Sequence, residues 1–408
     1  MAVLIRAWKV APGGLKVMFA CSFFMNLGFY ALIPYLTLHL TGDFLWSMAL
    51  TGVLLGVRQF SQQGLTFVGG IVADRLGCKE TLVFGVWVRA VGFLSFAFCG
   101  EVWQFFAAAI VSGLGGALFE PSYQAAFARL TPAEHRNMLF SFKNIVANFG
   151  MVFSTIVGSV LSSFEFFYLS IASGLIYVGI GVLIAWKLPK LEVEFSRESV
   201  LDDVRAILRD KPFVVYTFIL IGYYYLFMQL FLTLPQLAES VAGTKSGVAY
   251  VYGAISLSVV CFQLPLSGKL RKYENRFMLI GVGTLVMGLG LFSFAFASNL
   301  IALLAGSIVF AFGTMIAGPL LMDVVPMFAP PRQIASYYGF NGYSLAVGGA
   351  LSTSAGGWLY DLGADRGWTL LPWLVCLAVS AAAAIGLYLM KDNRNRFRGS
   401  PVDRDTPA

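Results

Sequence analysis

Residues 70–79 read Gly-Ile-Val-Ala-Asp-Arg-Leu-Gly-Cys-Lys, a short stretch of glycine and charge that separates two long apolar stretches. These neighbours, near residues 46–70 and 81–99, are each long enough to cross a hydrocarbon core of about 30 Å as a helix. Similar stretches recur as far as Met390, without the alternation of apolar and polar residues that a membrane barrel requires. The sequence therefore predicts an all-α integral membrane protein.

The composition agrees with this prediction. Of the 408 residues, 58% are hydrophobic and 12% are charged, whereas soluble domains have about 45–50% apolar and about 25% charged residues. We predict twelve spans. They lie near residues 17–40, 46–70, 81–99, 104–127, 138–161, 165–187, 213–235, 247–267, 277–297, 300–325, 334–359 and 370–390.

The basic residues are distributed unevenly between the two sides of this arrangement. With the N-terminus inside, most Lys and Arg residues outside the spans lie in the inside segments, and the outside segments hold only Lys245 and Arg366. The positive-inside rule then places both termini in the cytoplasm. The net charge of +7 is better explained by contact with lipid headgroups than by nucleic acid, which we do not expect as a partner.

The longest predicted loop divides the chain into two sets of six spans. A weak internal repeat supports this division, because Pro121 and Pro132 have the same spacing as Pro319 and Pro330. Repeated halves are typical of transporters with a site between them. The predicted parts are an N-terminal six-helix half (1–187), a cytoplasmic linker loop (188–212), a C-terminal six-helix half (213–391) and a cytoplasmic tail (392–408).

The opening stretch resembles the G-x-x-x-D-R-x-G-[RK]-[RK] signature of the major facilitator superfamily. The matching residues are Gly70, Asp74, Arg75, Gly77 and Lys79, and Cys78 replaces one usual basic residue. The resemblance implies the major facilitator fold, in which two six-helix halves surround a central cavity and give alternating access. Because ion pairs of this loop can differ between two arrangements of the halves, these five residues form a predicted conformational-switch loop.

Within that superfamily the chain resembles the twelve-span drug:proton antiporters. The residues that suggest this are 55–65 (LGVRQFSQQGL), 112–116 (SGLGG), 119–121 (FEP), 222–224 (GYY) and 234–236 (LPQ). Two antiporter features differ here: span 4 has Ala109 and Val111 where an arginine is usual, and residues 150–159 lack the proline of the span 5 motif.

The resemblance implies a monomer of the bacterial inner membrane that exports small amphipathic or drug-like solutes. Its energy would come from the proton gradient rather than from a cofactor, and no G-x-x-x-x-G-K-[ST] loop for ATP is present. An alternative is an exporter or facilitator of a specific metabolite such as a sugar. A non-transporting receptor or scaffold is a second alternative, and an enzyme is not expected, because no His-Glu-x-x-His or similar catalytic pattern occurs.

Four ionisable residues inside predicted spans are candidates for proton coupling, because a charge there costs about 2.5–3.5 kcal/mol on insertion scales. They are Glu120, Asp323, Arg58 and Arg89. Glu120 is our first candidate for a proton carrier, since Pro121 removes a backbone donor and loosens the helix there. The alternatives are a structural ion pair of Glu120 with Arg89 or Arg58, and simple solvation of Asp323.

Aromatic and amide side chains in spans 1, 2 and 7 are candidates for the substrate cavity. They are Phe29, Tyr30, Gln59, Tyr223, Tyr224 and Gln229. Aromatic walls suit apolar ligands of variable shape, whereas packing and interhelical hydrogen bonds are the alternative roles. We predict no metal site, because the two histidines and five cysteines are scattered along the chain.

Overall fold

The structure, a computed structural model, describes residues 7–132, 135–162, 165–190, 200–270, 272–273, 275–330 and 334–390. Within these residues the secondary structure is helical and contains no strand, which confirms the predicted all-α class. The helices before residue 191 are α1 (Gly13–Leu38), α2 (Met48–Gln63), α3 (Thr66–Leu76), α4 (Cys78–Ser95), α5 (Val102–Leu130), α6 (Arg136–Ser162) and α7 (Phe166–Lys187). Those after residue 199 are α8 (Val200–Arg209), α9 (Lys211–Met228), α10 (Thr233–Ala242), α11 (Ser246–Leu270), α12 (Arg276–Ser293), α13 (Leu300–Phe328), α14 (Ile334–Asp365) and α15 (Leu371–Met390).

Among the described residues, ten helical segments are long and apolar enough to cross a membrane. Predicted spans 2 and 11 are not among these ten. Span 2 is divided at Gly64 into α2 and α3, of 16 and 11 residues. Span 11 corresponds to α14, whose 32 residues include many glycines, serines and tyrosines. The two helices pack against each other, so each directs a face towards protein rather than lipid and can be less apolar.

The two halves repeat a tightly packed helix pair. A Cβ atom added at Gly92 on α4 would lie 2.5 Å from a backbone nitrogen of α5, and one added at Gly290 on α12 would lie 2.6 Å from a backbone nitrogen of α13. The 3-10 turns Phe96–Phe98 and Phe294–Phe296 follow the two helices at the same offset. The internal repeat seen in the prolines therefore extends to the packing of the helices.

One end of the bundle holds the turns at residues 39–47 and 243–245, and we call it the far end. There the side chain of Asp361, on α14, accepts hydrogen bonds from the first backbone N–H groups of α2, Met48 at 3.0 Å and Ala49 at 2.7 Å. The first N–H groups of a helix lack partners within it and carry partial positive charge. A carboxylate of the second half thus caps a helix of the first half.

Glycines bring the same two helices together along the far half of their lengths. A Cβ atom added at Gly52 on α2 would overlap the carbonyl oxygen of Thr353 on α14, and one added at Gly357 would overlap the carbonyl oxygen of Met48. Only a residue without a Cβ atom permits this approach of one backbone to the other. The interface between α2 and α14 is therefore closed at the far end.

Hydrogen bonds between other helices of the two halves lie at the same end. The hydroxyl of Thr37, at the end of α1, donates to the carbonyl oxygen of Phe231 at 2.7 Å. The hydroxyl groups of Ser159, on α6, and Ser246, on α11, are 3.3 Å apart. Contacts at three different places therefore hold the two halves together at the far end.

The variant Gly52→Ala tests this closure, because its methyl group requires α2 and α14 to move apart. Overpacking of this kind costs typically about 1–3 kcal/mol. In a background without the five native cysteines, we expect Met48→Cys, buried in the interface, to react several-fold faster with a maleimide when Gly52→Ala is present. The control is Gly253→Ala, where an added Cβ atom has no neighbour within 4 Å. Equal rates in both backgrounds would contradict the closure.

Candidate functional site

Glycines on two faces of α5 place the polar residues of α2 and α4 beside one another. A Cβ atom added at Gly116 would lie 2.7 Å from Cδ of Gln62 on α2, and one added at Gly115 would overlap the backbone nitrogen of Arg89 on α4. Small residues at helix interfaces permit such close packing inside membranes. Side chains from three helices therefore meet near the middle of the first half.

Arg58 lies in this centre and is only 4% exposed. Its Nη1 atom donates to Oε1 of Gln62 at 3.2 Å, and its Nη2 atom donates to Oε1 of Gln59 at 3.1 Å. Its guanidinium carbon is 5.2 Å from the centre of the Phe29 ring, and its Nε atom has no hydrogen-bond partner among the described residues. The charge is thus held by two neutral amides and one aromatic ring.

Glu120, on α5, is half-buried and also held by amides. Its Oε2 atom accepts hydrogen bonds from Nε2 of Gln62 at 3.0 Å and from Nε2 of Gln63 at 3.2 Å. In the described part of the chain, the ion pairs within 4.0 Å do not include Glu120. Gln62 therefore stands between Glu120 and Arg58, in place of the direct ion pair that the sequence left open.

Arg89 lies inside a cage of aromatic rings and is 2% exposed. Its guanidinium carbon is 5.0 to 5.5 Å from the ring centres of Phe29, Phe93, Phe119 and Tyr177. In the part of the chain that the structure describes, its Nε atom has no hydrogen-bond partner. A cation over a ring contributes about 2 kcal/mol when it is desolvated. Since the cage is built by helices of the first half, Arg89 lies within that half and shares the Phe29 ring with Arg58.

Several predicted cavity residues meet where α1 approaches α9. The half-buried Phe29 and Tyr30 rings have their centres 5.8 and 5.9 Å from that of Phe231, in the turn after α9. On α9 the half-buried ring of Tyr224 makes an edge contact with the buried ring of Tyr223, at 5.1 Å. Phe29, Tyr30 and Tyr224 keep part of their surface accessible, whereas Tyr223 packs in the core.

The two predicted cavity amides have different surroundings. Gln59 is buried at the junction of the halves, where a Cβ atom added at Gly349 on α14 would lie 2.8 Å from its Cγ atom. Gln229 is buried within the second half, where its Oε1 atom accepts from the hydroxyl of Thr233 at 2.7 Å and its Nε2 atom donates to the carbonyl oxygen of Ser352 at 3.5 Å. With these two bonds, the side chain of Gln229 links the turn after α9 to α10 and α14.

Asp323 lies apart from the central group. Its side chain is exposed on α13, and its backbone carbonyl oxygen accepts a hydrogen bond from Nη1 of Arg276 at 3.2 Å. No contact in the described residues connects its carboxylate to Glu120 or to either central arginine. The position matches the solvated residue that was the alternative prediction for Asp323.

The conformational-switch loop predicted over residues 70–79 is mostly helical: residues 70–76 end α3, and the turn to α4 lies at Gly77 alone. Gly77 has a φ of 103°, a backbone conformation that favours glycine, and it ends α3 and precedes α4. Lys79 is half-buried in the first turn of α4, and Gly70 lies within α3, where an added Cβ atom would be unobstructed. The side chains of Asp74 and Arg75 lie outside the residues that the structure describes.

Lys143, on α6, is a charged residue that the sequence reasoning did not single out. Its Nζ atom donates to Oε1 of Gln124 on α5 at 3.1 Å and is 5.0 and 5.1 Å from the ring centres of Phe127 and Phe140. Because Lys143 falls near the beginning of predicted span 138–161, it resembled a boundary residue. Its position inside predicted span 138–161 was the sequence signal that could have identified it, because a charge inside a span is costly.

The sequence of the chain is similar to those of a known protein family. A model of the Major Facilitator Superfamily matches residues 18–353. The "Multidrug resistance protein MdtH" of Sodalis glossinidius (strain morsitans) is 34% identical over 380 residues, which are 92% of this chain and 92% of that protein. The protein of the same name from Blochmanniella floridana is 31% identical over 384 residues, 93% of this chain and 95% of the relative.

Solved structures agree in fold at much lower identity. The crystal structure of a POT family transporter in complex with a thioalcohol-conjugated peptide superposes with a TM-score of 0.79, at 13% identity, over 96% of this chain and 99% of that one. Identity this low carries information about the fold alone. The structural match, together with the family model, confirms the predicted major facilitator architecture.

The cage around Arg89 leads to a prediction about stability. Replacing a buried charge by an apolar side chain of similar volume is often neutral or stabilising, so we expect Arg89→Met to keep or raise the thermal unfolding temperature in detergent. Arg89→Lys keeps the charge but loses the planar group that contacts four rings, and we expect a lower unfolding temperature. A large loss of stability in Arg89→Met would show instead that the fold requires the guanidinium.

Proposed function

Because the chain belongs to the Major Facilitator Superfamily, we propose that it exports amphipathic, drug-like solutes from the cell as a proton-coupled antiporter. Relatives that are 31–34% identical over about nine-tenths of the chain carry the name of multidrug resistance proteins. That name supports a range of drug-like substrates. The proton coupling is supported by the centre of the first half.

The observation that carries the proposal is the environment of Glu120. Its carboxylate is half-buried in a membrane helix, and its hydrogen-bond donors are the neutral amides of Gln62 and Gln63. Among the described residues, taking up a proton there breaks no ion pair within 4.0 Å, and a protonated carboxyl group still offers an oxygen to an amide. Binding and release of a proton at Glu120 can therefore accompany a change in the surrounding helices.

The aromatic residues at the junction of α1 and α9 support the substrate class. Phe29, Tyr30 and Tyr224 offer ring faces and edges with part of their surface accessible. Rings bind apolar and aromatic ligands over a range of shapes, because stacking does not depend on one hydrogen-bond pattern. A site of this kind suits several amphipathic substrates better than one sugar.

The closed far end corresponds to one arrangement of the proposed export cycle. By the positive-inside rule the far end, where Lys245 lies, faces away from the cytoplasm. The proposed cycle then loads substrate from the cytoplasm in the present arrangement and releases it after the contacts of Asp361 and Gly52 separate. We propose a monomer in the bacterial inner membrane, in contact with lipid and with both termini in the cytoplasm, driven by the proton gradient.

The variant Glu120→Gln tests the proton carrier. In inverted membrane vesicles with an imposed proton gradient, we expect it to abolish gradient-driven accumulation of a fluorescent dye, because an amide cannot exchange the proton. The matched control is Asp323→Asn, which removes the other candidate carboxylate at an exposed position, and we expect it to keep most of the activity. Full dye transport by Glu120→Gln would overturn the assignment.

A panel of toxic compounds tests the substrate class. In a bacterial strain without its major drug exporters, we expect expression of this chain to raise tolerance to several amphipathic compounds of unrelated shape. The Glu120→Gln variant, expressed at the same level, should raise tolerance to none of them. Growth that is unchanged for cationic, neutral and anionic compounds alike would favour the exporter or facilitator of a specific metabolite.

A further inference from the structure

A continuous path of side chains leads from Glu120 to the other half of the protein. Glu120 accepts from Gln62, Gln62 accepts from Arg58, and Arg58 donates to Gln59. Gln59 in turn packs against Gly349 on α14. The path crosses from α5 to α2 and then to the second half.

Gln62 is the residue in this path that contacts both charged groups, Arg58 and Glu120. Its carbonyl oxygen faces the guanidinium of Arg58 and its amide nitrogen faces the carboxylate of Glu120. The opposite orientation would set the amide N–H groups against the donors of Arg58 and the carbonyl oxygen against a carboxylate, and both contacts would be repulsive. Two charges of opposite sign therefore fix the orientation of one neutral amide.

We propose that Gln62 is a positioning residue that transmits the charge state of Glu120 to Arg58, and through Arg58 to the contact between the halves. This inference rests on the proposed proton coupling and specifies how it acts. When Glu120 gains a proton, the amide loses its anionic acceptor, and one of the two charges that orient it is removed. Gln62 then holds the guanidinium of Arg58 less firmly.

The location of Gln62 in α2 allows such a change to act on the helix. The helix ends at Gln63, and α3 begins at Thr66. The hydroxyl of Thr66 donates to the backbone carbonyl oxygen of Gln62 at 2.9 Å, which satisfies one acceptor left free by the break. A residue in the last turn before a break is less constrained by the helix than one in its interior.

The contact with the second half is sensitive to the position of Arg58. Gln59 is 5% exposed and lies against a glycine, with no side chain of α14 between them at that point. Because Arg58 holds the amide oxygen of Gln59, displacement of the guanidinium displaces a side chain packed on the opposite backbone. Packed interfaces change between discrete arrangements rather than deform gradually.

The chain offers a matched control in Gln63. Its Nε2 atom donates to the same carboxylate oxygen as Gln62, at 3.2 Å rather than 3.0 Å. The hydrogen bonds described for Arg58 go to Gln62 and Gln59. Removing the amide of Gln63 therefore takes one donor from Glu120 and leaves the connection to Arg58 intact.

The experiment compares Gln62→Met with Gln63→Met in proteoliposomes, with dye export measured against an imposed pH difference. We expect Gln62→Met to bind dye with unchanged affinity, to export it about tenfold more slowly and to lose the dependence of the rate on pH. We expect Gln63→Met, which takes one donor from Glu120 but leaves the path to Arg58 intact, to keep a rate that depends on pH. If Gln62 only packs between the helices, Gln62→Met will alter the transport rate or the stability without flattening the pH profile, and the proposal is overturned.

A second variant covers the case in which Gln62→Met fails to fold. Gln62→Asn keeps a neutral amide but is one methylene shorter, so it cannot contact both Arg58 and Glu120, and we expect it to show the same flat pH profile. If the wild-type protein itself exports dye without regard to the pH difference, the proposed function is overturned and the relay with it. If the wild type is proton-coupled and Gln62→Met or Gln62→Asn keeps its pH profile, the proposed role of Gln62 alone is overturned.

Discussion

The close approach of α5 to its two neighbours is the constraint on which the centre of this protein depends. Gly115 and Gly116 lie on two neighbouring faces of α5, which pack against α4 and α2, and a methyl group at either position would collide with Arg89 or Gln62. Without that approach, Glu120 on the same helix would not reach the amides of α2. Backbone packing therefore comes first, and the arrangement of charges is its consequence.

The same principle closes the far end, with a different chemical result. Glycines allow α2 and α14 to touch, and the touching helices place Asp361 over the N–H groups of Met48 and Ala49. A carboxylate beside a helix N-terminus contributes about 0.3–1 kcal/mol near a surface. A contribution of this size is large enough to favour one arrangement of the halves and small enough to be reversed. A carrier that alternates between two arrangements requires both.

The sequence predicted the helical fold, the positions of the spans and the residue types of the centre, because apolar length and buried charge are local signals. It did not predict the break at Gly64, because residues 46–70 were interpreted as one span by their length, although Ser61, Gln62 and Gln63 precede that glycine. It also left open which charges pair. The bridge made by Gln62 joins residues far apart in the chain, and the ring cage of Arg89 draws on four helices, so both require the tertiary structure.

The repeated second half supplies an internal comparison for the charges of the first. At the offset that relates the repeated glycines, the positions corresponding to Arg58, Arg89 and Glu120 are Ser256, Met287 and Gly318. The corresponding helices α12 and α13 still pack through glycines, so the architecture forms without any of the three charges. A charged group in the membrane costs about 2.5–3.5 kcal/mol on insertion scales. Since the second half folds without these charges, we propose that they serve transport and that the two halves have different tasks. In the proposed mechanism the first half responds to protons, and the second half supplies the surface against which that response acts.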